Sequence, residues 1–347
     1  MNGTMKGLVK ETPEAGAAVR YDLEIPRVKD DEVLVKVRYA AICGTDQHIY
    51  DWTPWAQERL RLPMVFGHEF SGDIVEVGSA VRRFSIGDRV AGETHIPCNS
   101  CAECLTGNAH NCEKMKIIGV HVPGAFCDYI SVSQDCVWKL EGDMDYKTGA
   151  LLEPMGVAVH GVFSGEISRK NVAILGCGPI GLMAVAAAAA GGAAKVLAAD
   201  IFPAKLALAA EMGAARTVHT REEDLVQAIL QETGGRGADV IIDYTGNARL
   251  ISSAFAALKK GGRFTLVGLP NEKLTLDATN AIIYKEAVVN GVTGRRMYET
   301  WMQCSELLTS GAVCLDKLMG GEYALEDFAV AFAALKDGAP GKMLFRL

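Results

Sequence analysis

Apolar positions in this chain follow two rhythms. Over roughly the first 150 residues they come in short, β-branched runs punctuated by glycine. Residues 33–42 (VLVKVRYAAI) alternate with period two, which predicts a half-buried strand. Residues 70–77 and 89–91 read as further strands, with Gly72-Asp73 and Gly87-Asp88 as turns. This texture predicts a β-rich, barrel-like domain.

From residue 171 the rhythm changes. A short apolar strand (171–175) runs into a glycine-rich turn and then an alanine-rich helix. Strand 195–199, helix 203–212, strand 216–219, helix 222–232, strand 238–244, helix 248–258 and strand 263–267 follow. Strands and helices alternating at this length predict a doubly wound parallel sheet covered by helices on both faces. Beyond about Gly294 the pattern is helical again, and residues 342–347 read as a closing strand. The fold class expected is α/β, with a β-rich domain beside a Rossmann-type one.

Composition narrows the functional classes. A chain of 347 residues suits two domains. With 49% hydrophobic and 22% charged residues it reads as a globular protein with real cores. A formal charge of −7 argues against a nucleic-acid-binding surface. The apolar stretch 184–192 is far shorter than the ~20 residues a membrane span needs. The first twenty residues carry scattered charges and no apolar core, unlike a secretory signal. Four of the ten cysteines fall between Cys98 and Cys112, which points to metal rather than disulfide chemistry. These features lead us to expect a cytoplasmic enzyme without nucleic-acid or membrane partners.

The turn after residue 175 reads Gly176-Cys177-Gly178-Pro179-Ile180-Gly181. Between a strand and a helix, the first glycine permits the tight turn. The second lets backbone approach a pyrophosphate, and the third lets helix and strand pack closely. The helix N-terminus then offers unpaired N–H groups to phosphate, and Pro179 suits its first turn. Asp200 stands 19 residues beyond Gly181, at the end of the next strand. A carboxylate there accepts hydrogen bonds from the adenosine ribose and repels a 2′-phosphate, favouring NAD over NADP. A glycine turn without a nucleotide is the alternative.

Two groups of residues suit zinc. Cys98, Cys101, Cys104 and Cys112 can close a tetrahedral thiolate shell with no open position, as a structural site requires. The spacing does not match the ferredoxin cysteine run. The second group is dispersed: Cys43, His48, His68, Glu69 and Glu153. A thiolate, an imidazole and one or two carboxylates leave a coordination position open for a reacting ligand, as a catalytic site requires.

Cys43-Gly44-Thr45-Asp46, Gly67-His68-Glu69, the four-cysteine lobe and Gly176-x-Gly178-Pro179-x-Gly181 are ordered and spaced as in one family. The chain resembles the zinc-containing medium-chain dehydrogenases over essentially its whole length. The resemblance implies a GroES-like, zinc-binding catalytic domain made of residues 1–154 and 296–347. It places an NAD-binding Rossmann domain at 155–295. It further implies a homotetramer and two zinc ions per chain, one catalytic and one structural.

Residue by residue, the resemblance implies Cys43, His68 and a carboxylate, Glu69 or Glu153, at the catalytic zinc. Thr45 and His48 match a proton relay. Asp200 and Lys205 match contacts to the adenosine ribose. Val267, Gly268, Leu269, Gly291 and Val292 match segments bordering the cofactor. Residues 41–52, 92–95 and 294–301 are similar to the branch that oxidises L-threonine at C3 to 2-amino-3-oxobutanoate. For such a zwitterion, Arg295 offers a bidentate grip on the carboxylate and His95 a pocket wall. Phe70 and Val157 depart from that branch, and residues 151–156 resemble the polyol-oxidising one. A sorbitol or butanediol dehydrogenase therefore stands as the alternative, and a non-catalytic NAD-binding zinc protein as a third reading.

Overall fold

The structure, a computed structural model, describes residues 3–270 and 272–347. It divides into two compact units. One runs to Glu153 and resumes over Met319–Leu347; the other is Pro154–Leu318. The second boundary lies further along the chain than the expected 295/296. Residues 296–318 go with the parallel-sheet unit because helix Glu299–Thr309 buries Trp301 and Cys304 there. Beyond that helix, Val313 and Lys317 lie beside Ala186, Ala189 and Met212, and Lys317 pairs with Glu211 at 2.9 Å.

In the first unit, strand Glu32–Ala41 is the organising element. It pairs antiparallel with Glu69–Val77, Tyr129–Ser133 and Lys342–Arg346. Its apolar residues Val33, Val35 and Val37 are fully buried in a core shared with Phe66, Phe70, Phe126 and Phe345. Register matters for function: Ala41 lies opposite both Glu69 and Leu344. Three chain segments far apart in sequence therefore converge just beyond Ala41.

One local expectation fails. Gly72-Asp73 is not a turn but lies inside strand Glu69–Val77. A Cβ on Gly72 would sit 2.1 Å from the Lys36 carbonyl oxygen, so the glycine serves close strand approach rather than chain reversal. Gly87, at φ +93°, does sit in a turn.

The second unit holds a six-stranded parallel sheet. Its order is Arg216–His219, Lys195–Asp200, Asn171–Leu175, Ala238–Asp243, Leu258–Leu266 and Val288–Gly291. The chain builds outward from Asn171–Leu175 in one direction and then in the other. The switch point therefore lies between that strand and Ala238–Asp243, where open α/β sheets bind ligands. Helix Ala248–Ala254 ends four residues before the expected 258, because strand Leu258–Leu266 starts there after a 3₁₀ turn. Among the described residues, no helix is long and apolar enough to cross a membrane.

Candidate active site and metal centres

Convergence beyond Ala41 creates the first cluster. Cys43 caps helix Gly44–Tyr50, and its backbone N–H donates to Asp46 Oδ2 at 2.8 Å. His68 and Glu69 arrive at the start of the paired strand, both buried. Ligand atoms of Cys43, His68 and Glu69 all lie within 4.8 Å of one another. Burial opposes charge on the His68 imidazole, yet Asp46 and Cys43 beside it raise its pKa well above the ordinary value. Glu69 is pushed up to about 7, chiefly by burial, with Glu153 adding repulsion and Lys342 opposing the shift. His68 Nδ1 and Asp46 Oδ1 lie 3.5 Å apart, and neither buried atom makes a hydrogen bond. Glu69 Oε2 is likewise buried without a hydrogen bond, so three buried polar atoms of this cluster lack a hydrogen-bond partner. Its thiolate, imidazole and carboxylate donors fit zinc.

Thr45 and His48 stand three residues apart on helix Gly44–Tyr50, hence on one face. No hydrogen bond joins them. His48 Nδ1 instead faces Thr53 Oγ1 at 3.4 Å. His95 is held by Glu93, whose Oε1 lies 2.9 Å from Nδ1 and 2.7 Å from the His95 backbone nitrogen.

The second cluster is the cysteine lobe. Cys101 Sγ lies 3.5 Å from Cys104 Sγ and 4.0 Å from Cys112 Sγ, and Cys98 Sγ lies 4.0 Å from Cys104 Sγ. A tetrahedron built on Zn–S bonds of about 2.3 Å has edges of about 3.8 Å, so the four sulfurs fit one zinc ion. Backbone N–H groups of Cys98 and Lys114 point at Cys112 Sγ from 3.2 and 3.3 Å. Hydrogen bonds from Ser100, side chain first and then backbone, help bring the Cys98 thiol down to about 6.

In the second unit, the glycine loop closes as its spacing requires. Gly176 has φ +92°, Gly178 has open space above its Cα, and a Cβ on Gly181 would meet Gly176 O at 1.8 Å. Helix Pro179–Ala190 starts at this loop, with Ile180 in its first turn. Asp200 Oδ2 accepts from Cys177 N at 2.7 Å, while Oδ1 accepts from Ile201 N and Phe202 N at 2.7 and 3.0 Å. A cleft of about 690 Å³ opens there. Gly176, Gly178, Asp200 and Lys205 line it, together with Phe202, Thr220, Thr245, Asn247 and Arg249. The sequence reading missed these last five. Thr245 and Asn247 had a signal, since they follow the strand across the switch point. Val267 to Leu269 follow one parallel strand, and Gly291 ends the next with Val292 after it, at the same edge of the sheet as the glycine loop. They do not line this cleft, and Leu269 is 88% exposed. Arg295 is buried, with its guanidinium 6.0 Å from the Trp301 ring centroid.

Comparison with known proteins settles the family. Residues 29–142 match the alcohol dehydrogenase GroES-like domain, and residues 179–310 match the zinc-binding dehydrogenase domain. The chain belongs to the zinc-binding alcohol dehydrogenase family. It is 43% identical over 345 residues to an L-threonine 3-dehydrogenase of Bacillus velezensis, covering 99% of both chains. It is 38% identical to one from Pyrococcus furiosus, covering 100% of both. Among solved structures, galactitol-1-phosphate dehydrogenase from Escherichia coli superposes with a TM-score of 0.90 at 33% identity, covering 99% of this chain and 100% of that one. As a family member the protein is an NAD-dependent zinc dehydrogenase. Its two clusters account for two zinc ions.

Proposed function

We propose that the protein oxidises the C3 hydroxyl of L-threonine to 2-amino-3-oxobutanoate. The observation that carries this reading is full-length identity of up to 43% with relatives named L-threonine 3-dehydrogenase. When bound, zinc held by Cys43, His68 and a carboxylate would lower the pKa of a substrate hydroxyl, and NAD would accept the hydride from C3. Thr45 takes the hydroxyl proton and His48, on the same helix face, carries it on toward solvent. Thr53, 3.4 Å from His48 Nδ1, fixes the imidazole and offers the next acceptor. Arg295 is the candidate for the substrate carboxylate by the chain's resemblance to the threonine-oxidising branch, and Glu93 orients His95.

Initial rates of NADH formation by the purified protein on L-threonine, sorbitol and 2,3-butanediol test this. L-Threonine should give the highest kcat/KM. Activity on sorbitol or butanediol with none on threonine would replace the proposal with the polyol reading, which residues 151–156 and the galactitol-1-phosphate dehydrogenase likeness favour. Arg295→Ala should raise the KM for threonine about ten- to a hundred-fold, the worth of one charge-assisted pair. It should leave a neutral alcohol unaffected; equal losses on both would make Arg295 a scaffold residue.

The reading extends to a cytoplasmic homotetramer without nucleic-acid or membrane partners. Strand Val288–Gly291 ends the parallel sheet, and it is apolar where it is exposed: Val288, Val289 and nearby Ile283 and Tyr284 all face solvent. A bare apolar edge invites pairing with a second copy.

A further inference from the structure

Asp243 ends strand Ala238–Asp243, beside the switch point, and is fully buried. A carboxylate so placed needs donors to offset desolvation. Three of them meet it. Oδ1 accepts from Thr245 N at 3.1 Å and from Thr245 Oγ1 at 2.5 Å, and Oδ2 accepts from Gly246 N at 3.0 Å. Burial raises the pKa of this carboxyl, and the same three hydrogen bonds oppose the rise. Thr245 Oγ1 in turn accepts from Asn247 N at 2.9 Å, which leaves its own proton for Asp243. Asn247 Oδ1 accepts from Leu250 N at 3.0 Å and so caps helix Ala248–Ala254. One carboxylate thus organises the whole turn from strand to helix.

The same residue ties in the neighbouring loop. Its main-chain oxygen accepts from Val267 N at 3.0 Å and from Gly268 N at 2.9 Å. Two glycines let these loops touch backbone to backbone. A Cβ on Gly268 would meet Gly246 N at 2.3 Å, and one on Gly246, at φ +63°, would meet Leu269 O at 2.2 Å. On its other side the turn abuts the glycine loop, since a Cβ on Gly176 would meet the Thr245 methyl at 2.8 Å. Thr245 and Asn247 line the cleft together with Gly176, Gly178 and Asp200. We infer that Asp243 is a positioning residue for NAD, acting through Thr245 and Gly246 to set one wall of the cleft that takes the adenosine half of the cofactor. The inference rests on reading that cleft as the nucleotide site, and it holds whichever alcohol is oxidised. An asparagine at this position keeps the size but turns an N–H₂ group toward N–H and O–H donors, leaving a buried donor unpaired.

The test reads binding by the full, zinc-loaded chain apart from turnover. ADP-ribose, which carries the adenosine diphosphate half of the cofactor without nicotinamide, is titrated by calorimetry, and NADH by fluorescence. Asp243→Asn should raise the Kd of both about tenfold, as one unpaired buried donor costs. The KM for NAD should rise alike, while kcat at saturating NAD changes by less than about twofold. Thr245→Val should also weaken both ligands. The double variant D243N/T245V should bind no worse than the weaker single one, as expected of residues acting in one chain. A folded D243N that binds ADP-ribose like the wild type, or that loses kcat with both Kd values unchanged, overturns the inference and makes Asp243 a scaffold residue. A double variant whose losses multiply overturns it as well. If D243N does not fold, T245V decides alone: wild-type affinity for ADP-ribose sinks the inference, and a loss of about tenfold supports it. A wild-type chain that does not bind ADP-ribose would remove the nucleotide reading of the cleft itself.

Discussion

Asp200 shows how one residue serves two masters. Its position was legible because the glycine fingerprint fixes where the second strand must end. Its three backbone hydrogen bonds were not, since they depend on how the loop folds back. Asp200→Ser removes both the repulsion of a 2′-phosphate and a latch on the glycine loop. We expect the NAD:NADP ratio of kcat/KM to fall about tenfold or more, with Lys205 and Arg249 already lining the same cleft. The melting temperature should fall too, and an unchanged ratio would place the selectivity elsewhere. His160 offers a pH test. Burial lowers its pKa from 6.5, partly offset by the Gly294 carbonyl 3.1 Å from Nδ1. The unfolded chain therefore binds the proton more readily than the native one. The stability His160 contributes is intact above about pH 6.5 and is lost as pH falls toward its native pKa. Thermal melts between pH 7 and 5 should show His160→Gln flattening that dependence; parallel curves for both proteins would discount it.

At the scale of elements, the cysteine lobe was the most legible feature, because close spacing alone forces four sulfurs together. Cys101→Ser should drop zinc from two ions to one per chain and lower the melting temperature, with turnover affected only secondarily. Metal analysis and calorimetry check this, and unchanged zinc content would remove Cys101 from the shell. Strand Glu69–Val77 shows the opposite case. Gly72-Asp73 has turn composition, but the strand runs through it because the neighbouring backbone approaches where only hydrogen fits. Helix Gly44–Tyr50 sets Thr45 and His48 on one face. The rotamer that turns His48 toward Thr53 is set by packing that spacing does not encode.

At the scale of the molecule, the bare edge at Val288–Gly291 makes the case for assembly. Val289, 38% exposed on that strand, is a place to test it. Val289→Lys would put a charge into any strand-to-strand contact. Light scattering should then report a smaller particle than the wild type, with the chain still folded. An unaltered mass would send the search for the interface to another face.

Periodicity, glycine spacing and cysteine spacing by themselves determined the parallel-sheet unit, its glycine loop and the cysteine lobe, because each is written in residues close together in the chain. The dispersed metal cluster was legible only as a set of candidate donors. Tertiary structure decided which of them meet, through the register that sets Ala41 opposite Glu69 and Leu344. It also placed residues 296–318 with the parallel sheet, since where a helix buries Trp301 depends on its packing partner. Lys342, 273 positions from Glu69, carries no local mark that its Nζ donates to that carboxylate at 2.6 Å. A buried ion pair between distant strands is a property of register, and register exists only once the sheet has formed.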